Sequence, residues 1–234
     1  MSAWVRIMSL CLPLVLLGSG LGGLIIWSKE PDRFPLKALD IQGELKSIPE
    51  QDIKSLVLPF LPEGFFWVNV QAIQQRVKEL PWVETVDIRR VWPDRIAVQV
   101  KEKIAQARWG EKGVLSTEGD VFYPKASTIS STLPRFDGPD KQAKEVLQQY
   151  FTLLELLGPL GLRIQGLVLS PEGSWQAVLD NGMTIILGKT ALSERMHRFV
   201  LAYQSRLQPE SGRIAYVDLR YTNGFAIGWK MGVQ

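Results

Sequence analysis

Cysteine and histidine are almost absent, each occurring once in 234 residues. Cys11 falls inside an apolar run, where a thiol behaves as a small hydrophobe, so no disulfide framework can form in the folded part. A Cys-His nucleophilic pair is excluded for the same reason. His197 lies between Met196 and Arg198 in a helical pattern, with no cysteine or second histidine to complete a zinc site, and reads as an ordinary helix residue. There is no G-x-S-x-G elbow for a serine hydrolase. Gly18, Gly20 and Gly22 lack the lysine and the strand-to-helix setting of a phosphate loop. Acidic residues are plentiful, but nothing selects two of them as an acid and a base. A large excess of one charge is missing too: removing Arg6 from the 27 basic residues leaves 26 against 24 acidic ones in the chain after the apolar run. That balance argues against nucleic acid, which needs a concentrated positive footprint. Internal repeats and low-complexity runs are also lacking. The sequence thus points to a non-enzymatic protein with no cofactor, no metal and no small-molecule substrate, one that works by binding other proteins.

A long uncharged stretch is present instead. Ile7 to Trp27 contains seven Leu, three Ile and one Val, and no charge intervenes before Lys29. At about 1.5 Å per residue these positions reach roughly 31 Å, close to the hydrocarbon thickness of a bilayer. A single transmembrane helix is expected over 7–28. Arg6 on the short side, against the mixed flank of Lys29, Glu30, Asp32 and Arg33, places residues 1–6 in the cytoplasm and the rest outside it. A cleaved signal peptide is the rival reading, with Leu10 to Leu17 as apolar core and Gly18-Ser19-Gly20 as cleavage site. The run's continuation through Leu21, Leu24, Ile25, Ile26 and Trp27 favours the span. Gly18 with Gly22, and Ser19 with Gly23, have small-xxx-small spacing; they read either as a helix-packing face or as glycines tolerated in lipid.

Beyond the run, Phe34 to Gln42 reads as a strand. Ser47 with Glu50 forms a capping box for a helix carrying Ile53, Leu56 and Val57, which Pro59 should end. Asn69 caps a second helix with Val70, Ile73, Val77 and Leu80 at helical spacing, stopped by Pro81. Val83 to Trp92 and Ile96 to Glu102 then form a hairpin about Pro93-Asp94-Arg95. Val86 and Ile88 share a face with Ile96, Val98 and Val100 only if the loop holds three residues, so a three-residue turn or a bulge is expected. Arg89, Arg90, Arg95, Lys101, Lys103 and Arg108 read either as a phosphate- or lipid-binding patch or as solvent-facing charges. Interleaved Asp87, Asp94 and Glu102 favour the second reading, because mixed signs cancel beyond roughly 8 Å.

Strand, helix, helix, strand, strand is the order of a polypeptide-transport-associated (POTRA) domain. The run ELPWVETVDIRRVWPDRIAVQVKEKIAQARW, Glu79 to Trp109, resembles the signature hairpin of the FtsQ/DivIB family of bacterial division proteins. Pro81-Trp82-Val83, Arg89-Arg90-Val91-Trp92-Pro93 and Val100-Lys101-Glu102 carry the likeness. The resemblance implies an α+β chain: a POTRA domain over 34–103, with a surface for division partners, and an FtsQ-type β domain over 104–234 with an antiparallel sheet backed by two helices. It departs in the six residues before the run, where the family usually has a longer tail, and in the end of the chain five residues after Trp229. The first departure implies either no interaction through that tail or a start codon further upstream.

In the second domain, Asp140 to Leu157 places Ala143, Val146, Leu147, Tyr150, Phe151 and Leu154 on an apolar stripe. Leu192 to Leu207 does the same with Met196, Phe199, Val200 and Tyr203. Strands are expected at Arg163 to Leu169, Trp175 to Leu179, Thr184 to Leu187 and Ile214 to Tyr221, with a hairpin at Asp180-Asn181-Gly182. Tyr123 to Leu133, rich in Ser and Thr, reads as an exposed loop between the domains.

The tail YVDLRYTNGFAIGW, Tyr216 to Trp229, carries the candidate site. Asn223-Gly224 as a two-residue turn would pair Thr222 with Phe225, Arg220 with Ile227 and Asp218 with Trp229. Val217, Leu219 and Tyr221 would then face the core with Ala226 and Gly228, leaving Phe225, Ile227 and Trp229 on the other face. Either that face is open to another chain on a terminal edge strand, or a helix or loop of the protein covers it. The family resemblance implies docking of FtsB here by strand addition, with FtsL held through it. Arg220, Tyr221, Asn223, Gly224, Gly228 and Trp229 match the family motif, and Phe225 and Ile227 complete the expected partner surface. The implied roles are Arg220 for an acidic group, Trp229 as anchor, and the glycines for close backbone approach. Localisation at the septum of the inner membrane follows from the same resemblance. The alternative, a POTRA-bearing secretion or outer-membrane assembly factor, usually carries a transmembrane barrel of many strands of about 9–11 residues, for which no room remains.

Overall fold

The computed structural model describes residues 33–230, so the expected tail over 1–6 and span over 7–28 lie outside the described residues. Within 33–230 no helix is long and apolar enough to cross a membrane. The chain divides into two compact units between Glu102 and Lys103.

The first unit runs β1 (Ala38–Gln42), α1 (Glu50–Val57), α2 (Val70–Lys78), β2 (Val83–Val91) and β3 (Arg95–Glu102). β3 is the middle strand, parallel to β1 and antiparallel to β2. Ile53, Val57, Ile73 and Val77 of the helices are fully buried, as are Ile96 and Val98 of β3. Each such side chain contributes about 1.5–3 kcal/mol. Trp92, Pro93 and Asp94 form the three-residue loop, which pairs Ile88 with Val98 and Val86 with Val100. The expected apolar face is therefore kept. Asn69 caps α2, its side chain accepting a bond from the Ala72 N–H at 3.0 Å.

The capping box does not form. Pro49 is the N-cap of α1, and the N–H groups of Ser47 and Ile48 donate instead to the Glu102 carboxylate at the end of β3, at 3.0 and 2.7 Å. Glu102 thus takes the Ser47 N–H that the Glu50 side chain would accept in a capping box, and Glu50 is left to an exposed ion pair with Lys54. After β1 the chain crosses close over β3: a Cβ on Gly43, at φ +138°, would lie 2.2 Å from the Val100 carbonyl oxygen. Only glycine fits there.

The second unit holds β4 (Ala105–Trp109), β5 (Gly113–Ser116), β6 (Val121–Phe122), β7 (Arg135–Asp137), α3 (Ala143–Leu157), β8 (Ile164–Leu169), β9 (Trp175–Leu179), β10 (Thr184–Gly188), α4 (Leu192–Ala202), β11 (Ile214–Asp218) and β12 (Ala226–Trp229). They build one nine-stranded sheet in the order β12-β11-β10-β9-β8-β7-β4-β5-β6. The sheet is mixed, not antiparallel: β4 with β7, β7 with β8 and β10 with β11 are parallel. Two of these pairs have a physical cause. α3 joins β7 to β8 and α4 joins β10 to β11, and a helical crossover between neighbouring strands returns the chain in the same direction. The Ser/Thr-rich segment over 123–133 lies within this unit, between β6 and β7, and not between the domains.

On α3 the buried positions are Ala143, Val146, Leu147, Leu153 and Leu157, with Tyr150 packed beside them. Phe151 and Leu154, expected on that stripe, face outward. α4 buries Met196 and Phe199 and continues as a π-helical turn through Tyr203 and Leu207, both buried. His197 is exposed, its Nδ1 2.7 Å from the Ser193 carbonyl. Ahead of α3, the Asp140 carboxylate accepts from Trp109 Nε1–H and from the Tyr123 hydroxyl, both at 2.7 Å. Trp109 is buried, so losing that acceptor leaves an indole N–H without its partner. Asp140→Ala is expected to destabilise the second unit by about 1–3 kcal/mol, read as a lowered urea midpoint at constant m-value.

Candidate partner-binding edge

The last two strands do not pair as the Asn-Gly signal predicts. Asp218 lies opposite Ala226, Val217 opposite Ile227 and Tyr216 opposite Gly228, and a bulge then places Trp229 opposite Ile214. The register is three residues from the expected one, and the connection spans 219–225. Neither Asn223 nor Gly224 takes a positive φ. The cause lies upstream. The Leu219 N–H still donates to the Ile186 carbonyl of β10 at 2.9 Å, and the Asp218 carboxylate then accepts from the Arg220 N–H at 3.0 Å, an Asx turn that peels the chain off the ladder. Two arginines of α4 hold the start of the connection. Arg195 donates to the carbonyls of Leu187 and Arg220, and Arg198 to those of Tyr221 and Thr222.

An odd shift in register exchanges the faces of a strand. Ile227 now sits opposite the fully buried Val217, and both Ile227 and Phe225 pack, half-buried, against the core of this unit. The expected uncovered row of Phe225, Ile227 and Trp229 is therefore not present. Trp229 alone of the three is exposed, at 53%. Tyr221, expected inward, is exposed, while Val217 and Leu219 are buried as expected. Tyr221, Thr222, Asn223, Gly224, Phe225 and Ala226 line an open hollow of about 420 Å³.

What remains of the expected site is the edge itself. β12 ends the sheet, with β11 on one side and no strand on the other among the described residues. Its far end is pinned: the Lys230 N–H donates to the Arg213 carbonyl at 2.8 Å, and the ammonium reaches the Gly212 carbonyl at 3.0 Å. The Tyr216 ring lies across Gly228, so close that a Cβ there would come within 2.1 Å of it.

Arg220 is not a free cation. Its Nε and Nη2 donate to the two Asp218 oxygens at 2.9 and 2.6 Å. Those bonds hold the Asp218 carboxyl below its usual range and raise the guanidinium above its own. The Arg220 side chain is 59% exposed while that of Asp218 is 9% exposed, so the fork sits at the surface on a buried anion. Asp218, Tyr216, Arg195 and Arg198 were missed as site residues. The Asp-x-Arg pair and the two arginines at i, i+3 on a helix were visible, but only the tertiary fold brings them to one place.

The model of the cell division protein FtsQ/DivIB C-terminal region matches residues 107–220, and that of the FtsQ-type POTRA domain matches residues 34–103. The chain is 36% identical over 224 residues to the cell division protein FtsQ of Allochromatium vinosum, covering 96% of this chain and 90% of that one. It is 33% identical over 231 residues to the FtsQ of Xanthomonas campestris, covering 99% and 83%, and 33% identical over 209 residues to that of Escherichia coli, covering 87% and 76%.

The chain belongs to the FtsQ/DivIB family of cell division proteins. The family and relative names denote a division protein and indicate no catalytic activity. The FtsQ/DivIB C-terminal match stops at Arg220, so Tyr221 to Trp229, most of the candidate edge, stands outside it.

Two outcomes test the geometry. Gly228→Ala is expected to expel the Tyr216 ring and cost roughly 1–2 kcal/mol, and Tyr216→Ala in the same chain should recover most of that in a double-mutant cycle. Asp218, with its folded pKa depressed, contributes stability that is present above the ordinary carboxylate pKa of about 3.9 and is lost as pH falls through the lower folded value. Asp218→Asn should remove that component, so its urea midpoint lies below wild type at neutral pH and converges with it in acid.

Proposed function

We propose that the chain is a non-enzymatic scaffold of the bacterial divisome that recruits membrane partners of the FtsB and FtsL type by strand addition to β12. In this reading residues 1–6 are cytoplasmic and 7–28 span the inner membrane. Residues 34–103 form the membrane-proximal POTRA domain, and 104–234 the β domain that carries the docking edge on the periplasmic side, at the septum.

The observation that carries the reading is the position of β12 at the end of a nine-stranded sheet, with an exposed Trp229 and the Arg220–Asp218 fork nearby in sequence. An edge strand offers main-chain donors and acceptors to an incoming segment, and exposed aromatic and arginine side chains select which segment stays. Asp218 occupies Nε and Nη2 of Arg220, so a partner carboxylate would meet the remaining edge of a guanidinium already held in place. Tyr221, Asn223 and Gly224 would border the incoming strand at the hollow. Phe225 and Ile227, committed to the core, would shape the edge from beneath and not touch the partner.

A pull-down of the division proteins with residues 28–234 tests recruitment. Trp229→Ala is expected to weaken FtsB binding by about 2 kcal/mol, roughly 30-fold, while leaving the thermal melt unchanged. Strand addition makes a separate demand: amide hydrogen exchange across Ala226–Trp229 should slow when the partner is added. Tight binding with unchanged exchange there would exclude strand addition at this edge.

A further inference from the structure

The first unit has an aromatic and basic end that the partner-binding reading does not use. β1 runs parallel to β3 with Ala38 opposite Arg95, so the β2–β3 loop of Trp92, Pro93 and Asp94 lies at the end of the sheet where the chain enters. Main-chain bonds close that end: the N–H groups of Lys37 and Ala38 donate to the Asp94 carbonyl at 2.8 and 3.3 Å. The segment after α1 is drawn to the same place. The Phe65 N–H donates to the Phe34 carbonyl at 2.8 Å, the Phe34 and Phe66 rings meet edge to face at 4.9 Å, and Arg90 Nη2 donates to the Val68 carbonyl at 2.7 Å. Trp92, Trp67 and Phe66 are nonetheless 73%, 46% and 45% exposed.

Charge follows the same division. Arg33, Lys37, Arg89, Arg90 and Arg95 belong to this end, against Asp40, Glu63 and Asp94. Lys101 lies at the other end of the hairpin in an ion pair with Glu84 at 3.0 Å, and Arg108 belongs to the second unit. The six-residue basic cluster of the sequence is thus split, and only half of it stands beside the exposed aromatics.

We infer that this end of the first unit seats on the lipid bilayer, with Trp92, Trp67 and Phe66 in the headgroup region and the neighbouring arginines and lysine on anionic lipid. This rests on reading Ile7 to Ser28 as a span, and is independent of strand addition at β12. The chain itself delivers the surface to lipid: Phe34 follows Ser28 by six positions, a reach of at most about 21 Å. Tryptophan flanked by basic side chains is the chemistry of the membrane–water interface, where one side of the ring meets acyl chain and the other water. A surface held this close to a bilayer gains from contact even when each side chain adds little, because the tether keeps the effective concentration high.

The test uses the full chain with Cys11→Ser in nanodiscs of phosphatidylcholine and phosphatidylglycerol, with no other protein present. Nitroxide labels are placed at Trp92→Cys or Trp67→Cys, with Glu172→Cys, in an exposed turn of the second unit, as aqueous reference. The ratio of collision with oxygen to collision with a water-soluble nickel chelate is expected to be several-fold higher at 67 and 92 than at 172. Equal ratios at the three positions overturn the seat. A label at Val91→Cys, 37% exposed, gives a second reading should a tryptophan variant fold poorly. A chain that fails to enter nanodiscs overturns the span and the seat together, and leaves the exchange result at β12 standing.

Discussion

Parallel pairing of β11 with β10 is the constraint on which the candidate site depends. α4 carries the chain from one to the other, and a crossover of that kind admits only one strand direction. Once β11 is laid down, Leu219 remains bonded to β10 and Asp218 is buried at the point where the ladder ends. A buried carboxylate must be paired, and Arg220, two residues on, supplies both the charge and the turn. β12 can then add only on the free side of β11, which makes it the outermost strand. Edge, fork and wide connection are thus one consequence of a helix between two strands.

The connection over 219–225 would otherwise be an unsupported loop. Backbone carbonyls at Arg220, Tyr221 and Thr222 have left the sheet, and Arg195 and Arg198 reach across from α4 to receive them. Guanidinium groups suit the task because their several donors are fixed in one plane. The helix that dictates the direction of β11 therefore also holds the loop between β11 and β12.

Legibility in the sequence tracked interaction range. The first unit was readable element by element, because its helices and hairpin are set by local periodicity, by Asn69 as a cap, and by a register that a single buried face decides. The capping box failed because Glu102, 52 residues from Glu50, takes the Ser47 N–H together with that of Ile48. In the second unit the helices and the strands β8 to β10 matched their hydrophobic runs, but strand order and the parallel pairs were not visible. Over 105–137 the strands are only two to five residues long, too short to carry a periodic signal. At the tail, Asn223-Gly224 is a sound local preference overruled by an Asx turn and two arginines. The residues of the edge were legible; which of them face outward was not.

The brevity of β12 has its own meaning. Four residues form the strand, and Tyr216 leans over its one glycine. Two copies of the chain would find in each other's rims only a handful of exchangeable amide contacts, each contributing about 1 kcal/mol. Self-zipping gains too little to offset the lost freedom of two large bodies. A rim this short is thereby protected against pairing with its own kind.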